Sequence, residues 1–131
     1  MGVKINETYH IILCSKYRYK YLLCLNDINL YLNKVFGNNI LDYSVEEDHL
    51  HLIVNYCTKV NLYDKIKVFK MMCSYHILRQ RKDIKNDYLW GVNQLFSKGN
   101  YVSSLGNISK DDALNYIRRQ ENYENLENIS L

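Results

Sequence analysis

The sequence predicts an α+β fold of the ferredoxin-like (RRM-like) type: a four-stranded antiparallel sheet carrying two packed helices, plus an extra C-terminal helix. Three observations predict it. Strand-like and helical runs alternate in the order β-α-β-β-α-β-α. The two middle strands are separated only by Glu46 to Asp48, a spacing that favours an antiparallel hairpin. The first six elements match the split-βαβ arrangement, which leaves the last helix as an addition.

The elements follow from the residues in order. Thr8 to Ser15, "TYHIILCS", is β-branched and aromatic and reads as a strand. In the next stretch Lys16, Arg18 and Lys20 alternate with Tyr17, Tyr19 and Tyr21. Asn26 or Asp27 is placed to cap a helix running to about Phe36, and Gly37 followed by two asparagines supplies its stop. "NILDYSVEE" and "HLHLIVNY" are the hairpin strands. Asn61 opens the longest helical pattern, in which Leu62, Ile66, Phe69, Met72, Cys73, Ile77 and Leu78 recur at three- and four-residue spacing. Its other face carries Lys65, Lys67, Lys70, Arg79, Arg81 and Lys82, a stripe that reads as a solvated charged face. "QLFSKGNYVSSLG" is the fourth strand region, split at Lys98-Gly99-Asn100. Ser109 to Asp112 resembles a capping box that opens a helix through "ALNYIRRQ". The chain therefore reads as one domain over residues 1–131: an α+β core at about 8–104, a helix at 109–120 and a tail at 121–131.

Composition narrows the function classes without choosing one. Lys and Arg total 17 against 14 Asp and Glu, a net charge of +3 that permits a nucleic-acid partner but does not require it. Tyrosine is abundant at 13 residues; such rings can stack on unpaired bases, and an Asn-, Ile- and Lys-rich chain from an AT-rich genome accumulates them in any case. Cys14, Cys24, Cys57 and Cys73 form no C-x-x-C pair, which argues against a zinc knuckle and for reduced thiols. No apolar run approaches the roughly 20 residues of a membrane helix. A soluble, cytoplasmic protein without a membrane partner is the expectation.

The chemistry-bearing residues are few. On a strand, residues two apart share a side, so His49, His51 and Ile53 face one way and Leu50, Leu52 and Val54 the other. Leu and Val make a core row against the helices, which puts the imidazoles on the open face of the sheet, close enough to bind one ion. On the last helix Tyr116 and Gln120 are four apart and share a face. A phenol and an amide one turn apart are able to address one metal-bound phosphate; a surface tyrosine and a solvated glutamine are the plainer alternative.

Together, "YHIILCSKYRYKYLL", "DHLHLIV", "LFSKGNYVSSLG" and "YIRRQ" resemble, in order and spacing, the single-tyrosine HUH transposases of the insertion sequence 200/605 family, where HUH denotes His-hydrophobic-His. The resemblance spans Tyr9 to Gln120, with Phe96 standing where many relatives carry Trp. It implies that His49, His51 and Gln120 bind a divalent metal, Mg²⁺ or Mn²⁺, and that Tyr116 attacks DNA. It further implies single-stranded DNA with hairpins at the element ends as partner, a homodimer, a 5′-phosphotyrosine intermediate, and a tyrosine helix that completes the partner subunit's site through a hinge near Gly106. A phenol of pKa about 10 is only about one-thousandth ionised at pH 7, a cost of roughly 4 kcal/mol. The metal and cations such as Lys110, Arg118 or Arg119 offset part of that.

Other residues have milder readings. Lys16, Tyr17, Arg18, Tyr19 and Lys20, with Arg118 and Arg119, are the candidates for DNA contact; a twisted, solvated strand end explains the first five nearly as well. His10 reads as structural or DNA-facing, and His76 as a satisfied structural histidine. A non-catalytic ferredoxin-like module that binds single-stranded nucleic acid is the competing reading, and a domesticated HUH endonuclease shares the same catalytic parts.

Overall fold

A computed structural model describes residues 7–56 and 58–106 together with Asp112 and Asn115. Four strands, β1 (Glu7–Cys14), β2 (Ile40–Val45), β3 (His49–Tyr56) and β4 (Tyr101–Gly106), form one sheet in the order β2-β3-β1-β4. Every pairing is antiparallel. This is the ferredoxin-like order, with the first strand in the interior and the hairpin at one side. Among the described residues the α-helical elements that accompany the sheet are α1 (Ile28–Phe36), α2 (Lys59–Gln80) and the short α3 (Lys82–Asp87). Of the expected helix at 109–120 only Asp112 and Asn115 are described, both helical; the tail at 121–131 and the residues Tyr116, Arg118, Arg119 and Gln120 lie outside the described residues.

One face of the sheet is apolar because alternation makes it so. Tyr9, Ile11 and Leu13 of β1 and Leu50, Leu52 and Val54 of β3 pack with Leu32, Phe36, Leu62, Ile66 and Phe69 of the helices in a single core. Each such aliphatic side chain, taken fully out of water, contributes roughly 1.5–3 kcal/mol. In α2 the buried residues Leu62, Ile66, Phe69, Cys73, Ile77 and Leu78 form the stripe expected from spacing, while Met72 is only partly buried at its edge. The helix begins at Lys59, two residues before Asn61, because the hydroxyl of Thr58 accepts from the Asn61 amide at 3.2 Å and acts as the cap. β4 is shorter than its apolar pattern: Phe96 makes an isolated bridge to Ser15, and the chain departs from the sheet until Tyr101. Phe96 is buried against Phe69, so a phenyl ring fills that place.

The stretch after β1 is not a strand end. Lys16–Arg18 form one 3-10 turn with Tyr17 at φ 60° and Arg18 at φ 57°, so the alternation of cations and rings does not map onto two faces of a sheet. Gly106 closes β4 at φ 72°, a left-handed conformation in which a Cβ is strained.

Candidate active site on the second face of the sheet

The sheet's second face is built from the other half of each strand. Pairing sets Ile12 opposite His51, Cys14 opposite His49 and His10 opposite Ile53, and directly opposite residues project to one side. This places His10, His49 and His51 together. The face is not open, as alternation alone implied. His10, His51 and Ile53 are fully buried and Ile12 nearly so, while the His49 side chain retains 14% exposure.

Hydrogen bonds fix the orientation of both histidines. Nδ1 of His51 lies 2.9 Å from Nε2 of His10, with the ring planes nearly parallel at 11°. Nδ1 of His49 lies 2.7 Å from Oδ1 of Asp48. The other carboxylate oxygen of Asp48 accepts from Nε and Nη2 of Arg18 at 3.2 and 3.0 Å. Burial favours a neutral His10 and, with His51 beside it, pushes its pKa down to about 3. Burial raises Asp48, but the bonds and charges of His49 and Arg18 outweigh it, so the carboxyl sits below its usual range. A neutral imidazole holding a proton on Nδ1 presents its lone pair at Nε2. With both Nδ1 atoms engaged in the sheet, a metal would meet His49 and His51 through Nε2, their rings 5.0 Å apart between centroids.

That donor set suits a divalent ion that keeps open positions, but it is not a complete cage. Among the described residues no group of three or more His, Cys, Asp or Glu converges as a metal site. Gln120, the third ligand expected from the sequence, lies outside the described residues.

The other site residues fall into two groups. Arg18 is committed to Asp48, and Lys20 makes only a long, exposed pair with Glu47 at 3.8 Å. Lys16, Tyr17 and Tyr19 remain on the surface. His10 is buried and faces His51 rather than solvent. His76 is exposed and stacks on Tyr31 at 5.5 Å, so it is a surface ring rather than a buried one. Asp48 was missed by sequence reasoning, although an acid directly before the first histidine of the strand was the available signal.

The lysine stripe of α2 is more than a solvated face. Lys67, Lys70 and Arg79 of α2 join Lys82 and Lys85 of α3 and Lys98 around a cleft of about 840 Å³ that, among the described residues, no acidic side chain lines. Lys70 reaches across it to donate to the carbonyls of Ser97, Lys98 and Gly99.

Fold and site together define an α+β domain with a paired-histidine strand backed by a buried histidine and a carboxylate. Residues 4–120 match the model of the IS200-like transposases, and the chain belongs to that family. A crystal structure of a Deinococcus radiodurans R1 protein, provisionally assigned as a transposase, superposes with a TM-score of 0.67 over 92% of this chain and 95% of that one. At 18% identity that likeness speaks to the fold alone. A search of curated proteins finds no significant match. The family is one of DNA-cleaving and DNA-joining enzymes, so DNA is the partner. Among the described residues no helix is long and apolar enough to cross a membrane.

Proposed function

We propose that this transposase cuts and rejoins single-stranded DNA at the ends of an insertion sequence, with Tyr116 as nucleophile and His49, His51 and Gln120 as ligands of Mg²⁺ or Mn²⁺. The observation that carries the reading is the pinning of both Nδ1 atoms, His49 by Asp48 and His51 by His10. A sheet that merely collected two imidazoles has no need to engage the Nδ1 of each.

In this reading the Tyr116 oxygen forms a bond to the scissile phosphorus, the P–O3′ bond breaks, the phenolic proton is released and the 3′ oxygen takes one up. The 5′ phosphate stays on tyrosine as an ester. Because one phosphoester replaces another, the reverse attack by a 3′-OH rejoins strands without ATP. When bound, the divalent ion supplies positive charge to the non-bridging and leaving oxygens. Asp48 and His10 keep the histidine rings turned toward it, and Arg18 keeps Asp48 in place.

Incubation with single-stranded DNA bearing the element end and its hairpin, with Mn²⁺ or Mg²⁺, should yield a covalent adduct on a denaturing gel. The adduct should vanish in Tyr116→Phe and in EDTA. Binding without adduct under both metals would leave the non-catalytic module as the answer. As a homodimer with its tyrosine helices exchanged, the enzyme should regain activity when Tyr116→Phe and His49→Ala protomers are mixed; a mixture as inactive as either parent excludes exchange.

A further inference from the structure

Left-handed backbone at non-glycine residues occurs at Tyr17, Arg18 and Trp90 among the described residues, and all three lie in one surface patch. Bulky side chains rarely accept this conformation, and it persists where the surroundings over-determine it, often at functional surfaces. The surroundings do so here. The Lys16 amide bonds the Leu95 carbonyl, the Ser15 hydroxyl bonds the Tyr19 carbonyl, and the amides of Gly91 and Val92 bond the carbonyls of Lys85 and Leu89. What these bonds hold up is a set of exposed rings. Trp90 is 79% exposed and Tyr17 55%. Their centroids are 6.5 Å apart, and the row continues to Tyr19 at 6.0 Å and Tyr88 at 5.7 Å. No hydrophobic gain accounts for leaving the chain's one tryptophan in water.

We infer that Trp90 and Tyr17, extended by Tyr19 and Tyr88, form a stacking platform for unpaired bases of the DNA strand on its way to the histidine pair. Ring faces attract bases of any identity, and the neighbouring charge suits the phosphates between them: the Lys16 ammonium sits 5.2 Å over the Tyr17 ring, and the Lys20 side chain is 73% exposed. The patch is also continuous with the proposed active site. Arg18, between Tyr17 and Tyr19, bonds Asp48, and Asp48 bonds His49. The inference rests on the single-strand reading above and adds where the strand is held.

Trp90 is its own reporter, since it is the only tryptophan in the sequence. Oligothymidylate should quench its fluorescence saturably. An abasic oligonucleotide of equal length, offering phosphates without bases, should bind more weakly and leave the emission nearly unchanged. By anisotropy of a labelled strand, Trp90→Ala should weaken oligothymidylate binding roughly tenfold, Trp90→Phe much less, and neither should alter the abasic affinity. If Trp90→Ala does not fold, Tyr17→Ala removes the facing ring and should produce the same loss. Saturating oligothymidylate that leaves Trp90 emission unchanged, or a folded Trp90→Ala that binds it as wild type does, overturns the platform. Adduct formation without quenching also overturns it and spares the cleavage reading. Quenching without any adduct in the wild type keeps the platform and sinks the cleavage reading.

Discussion

Strand β3 presents two buried faces made by different means. Toward the helices it sends Leu50, Leu52 and Val54 into a continuous apolar core, and toward the other side it sends His49, His51 and Ile53. On the first face an apolar side chain of similar volume serves, because apolar burial is non-directional and repays area. On the second, His51 is as deeply buried as Leu52, and its ring needs directed partners there, of which His10 at its Nδ1 is one. A buried polar group without a partner costs of order 1–3 kcal/mol. A fold gains nothing in stability from such an arrangement that an aliphatic pair would not supply more cheaply. The second face is thus the one whose residues ask for a function.

Substitutions on the two faces should fail differently. The largest expected effect is His51→Ala, which should lower metal-dependent strand cleavage at least about 100-fold, measured by adduct yield, while circular dichroism stays folded. Comparable cleavage by this variant would remove the distinction between the faces. Leu52→Ala, its neighbour on the helix side, should reverse the pattern: an unfolding free energy lower by roughly 2–5 kcal/mol in urea melts, with Mn²⁺ affinity retained in whatever fraction remains folded. Asp48→Asn sharpens the contrast, since it removes no bulk. It should weaken Mn²⁺ binding by about 10–100-fold, seen by calorimetry or electron paramagnetic resonance on the unreacted protein.

The smallest effect lies at the margin of the helix-covered side. Burial pushes Lys70 down to about 8 from the ordinary 10.5. Between those values the unfolded chain carries a proton that the folded chain has lost, so unfolding free energy should rise as pH increases from about 8 to about 10.5. Urea melts across that window should show the slope in the wild type and a flatter one in Lys70→Met. An equal slope in both would mean that Lys70 keeps its proton through its bonds to the carbonyls of residues 97–99.

Much of the fold was legible because its signals are local. The core row of β3, the hairpin spacing at Glu46 to Asp48 and the stripe of α2 each follow from period alone, and each stands in the structure. Boundaries were legible less well: Thr58 begins α2 where Asn61 was expected, since which of several capping residues is used depends on where the chain leaves β3. The cationic stripe was visible as a stripe and not as a cleft, because Lys82, Lys85 and Lys98 join it from segments beyond α2. The aromatic run at Tyr17 to Tyr21 was noticed, but as a strand end. Its left-handed turn and its facing Trp90 depend on bonds to Leu95 and to the segment after α3.

The sequence by itself determined the strand and helix order, which residues of β3 face which way, and the candidate histidine pair, because alternation and helical period are properties of neighbours along the chain. Tertiary structure alone decided that His10 belongs to that pair, that Arg18 braces the Asp48 beside it, and that Trp90 faces Tyr17. Those partners lie 41, 30 and 73 residues apart or more from the groups they meet, or act through such a link. No local periodicity reports on contacts of that range; only the strand register and the return of the chain across the sheet bring them together.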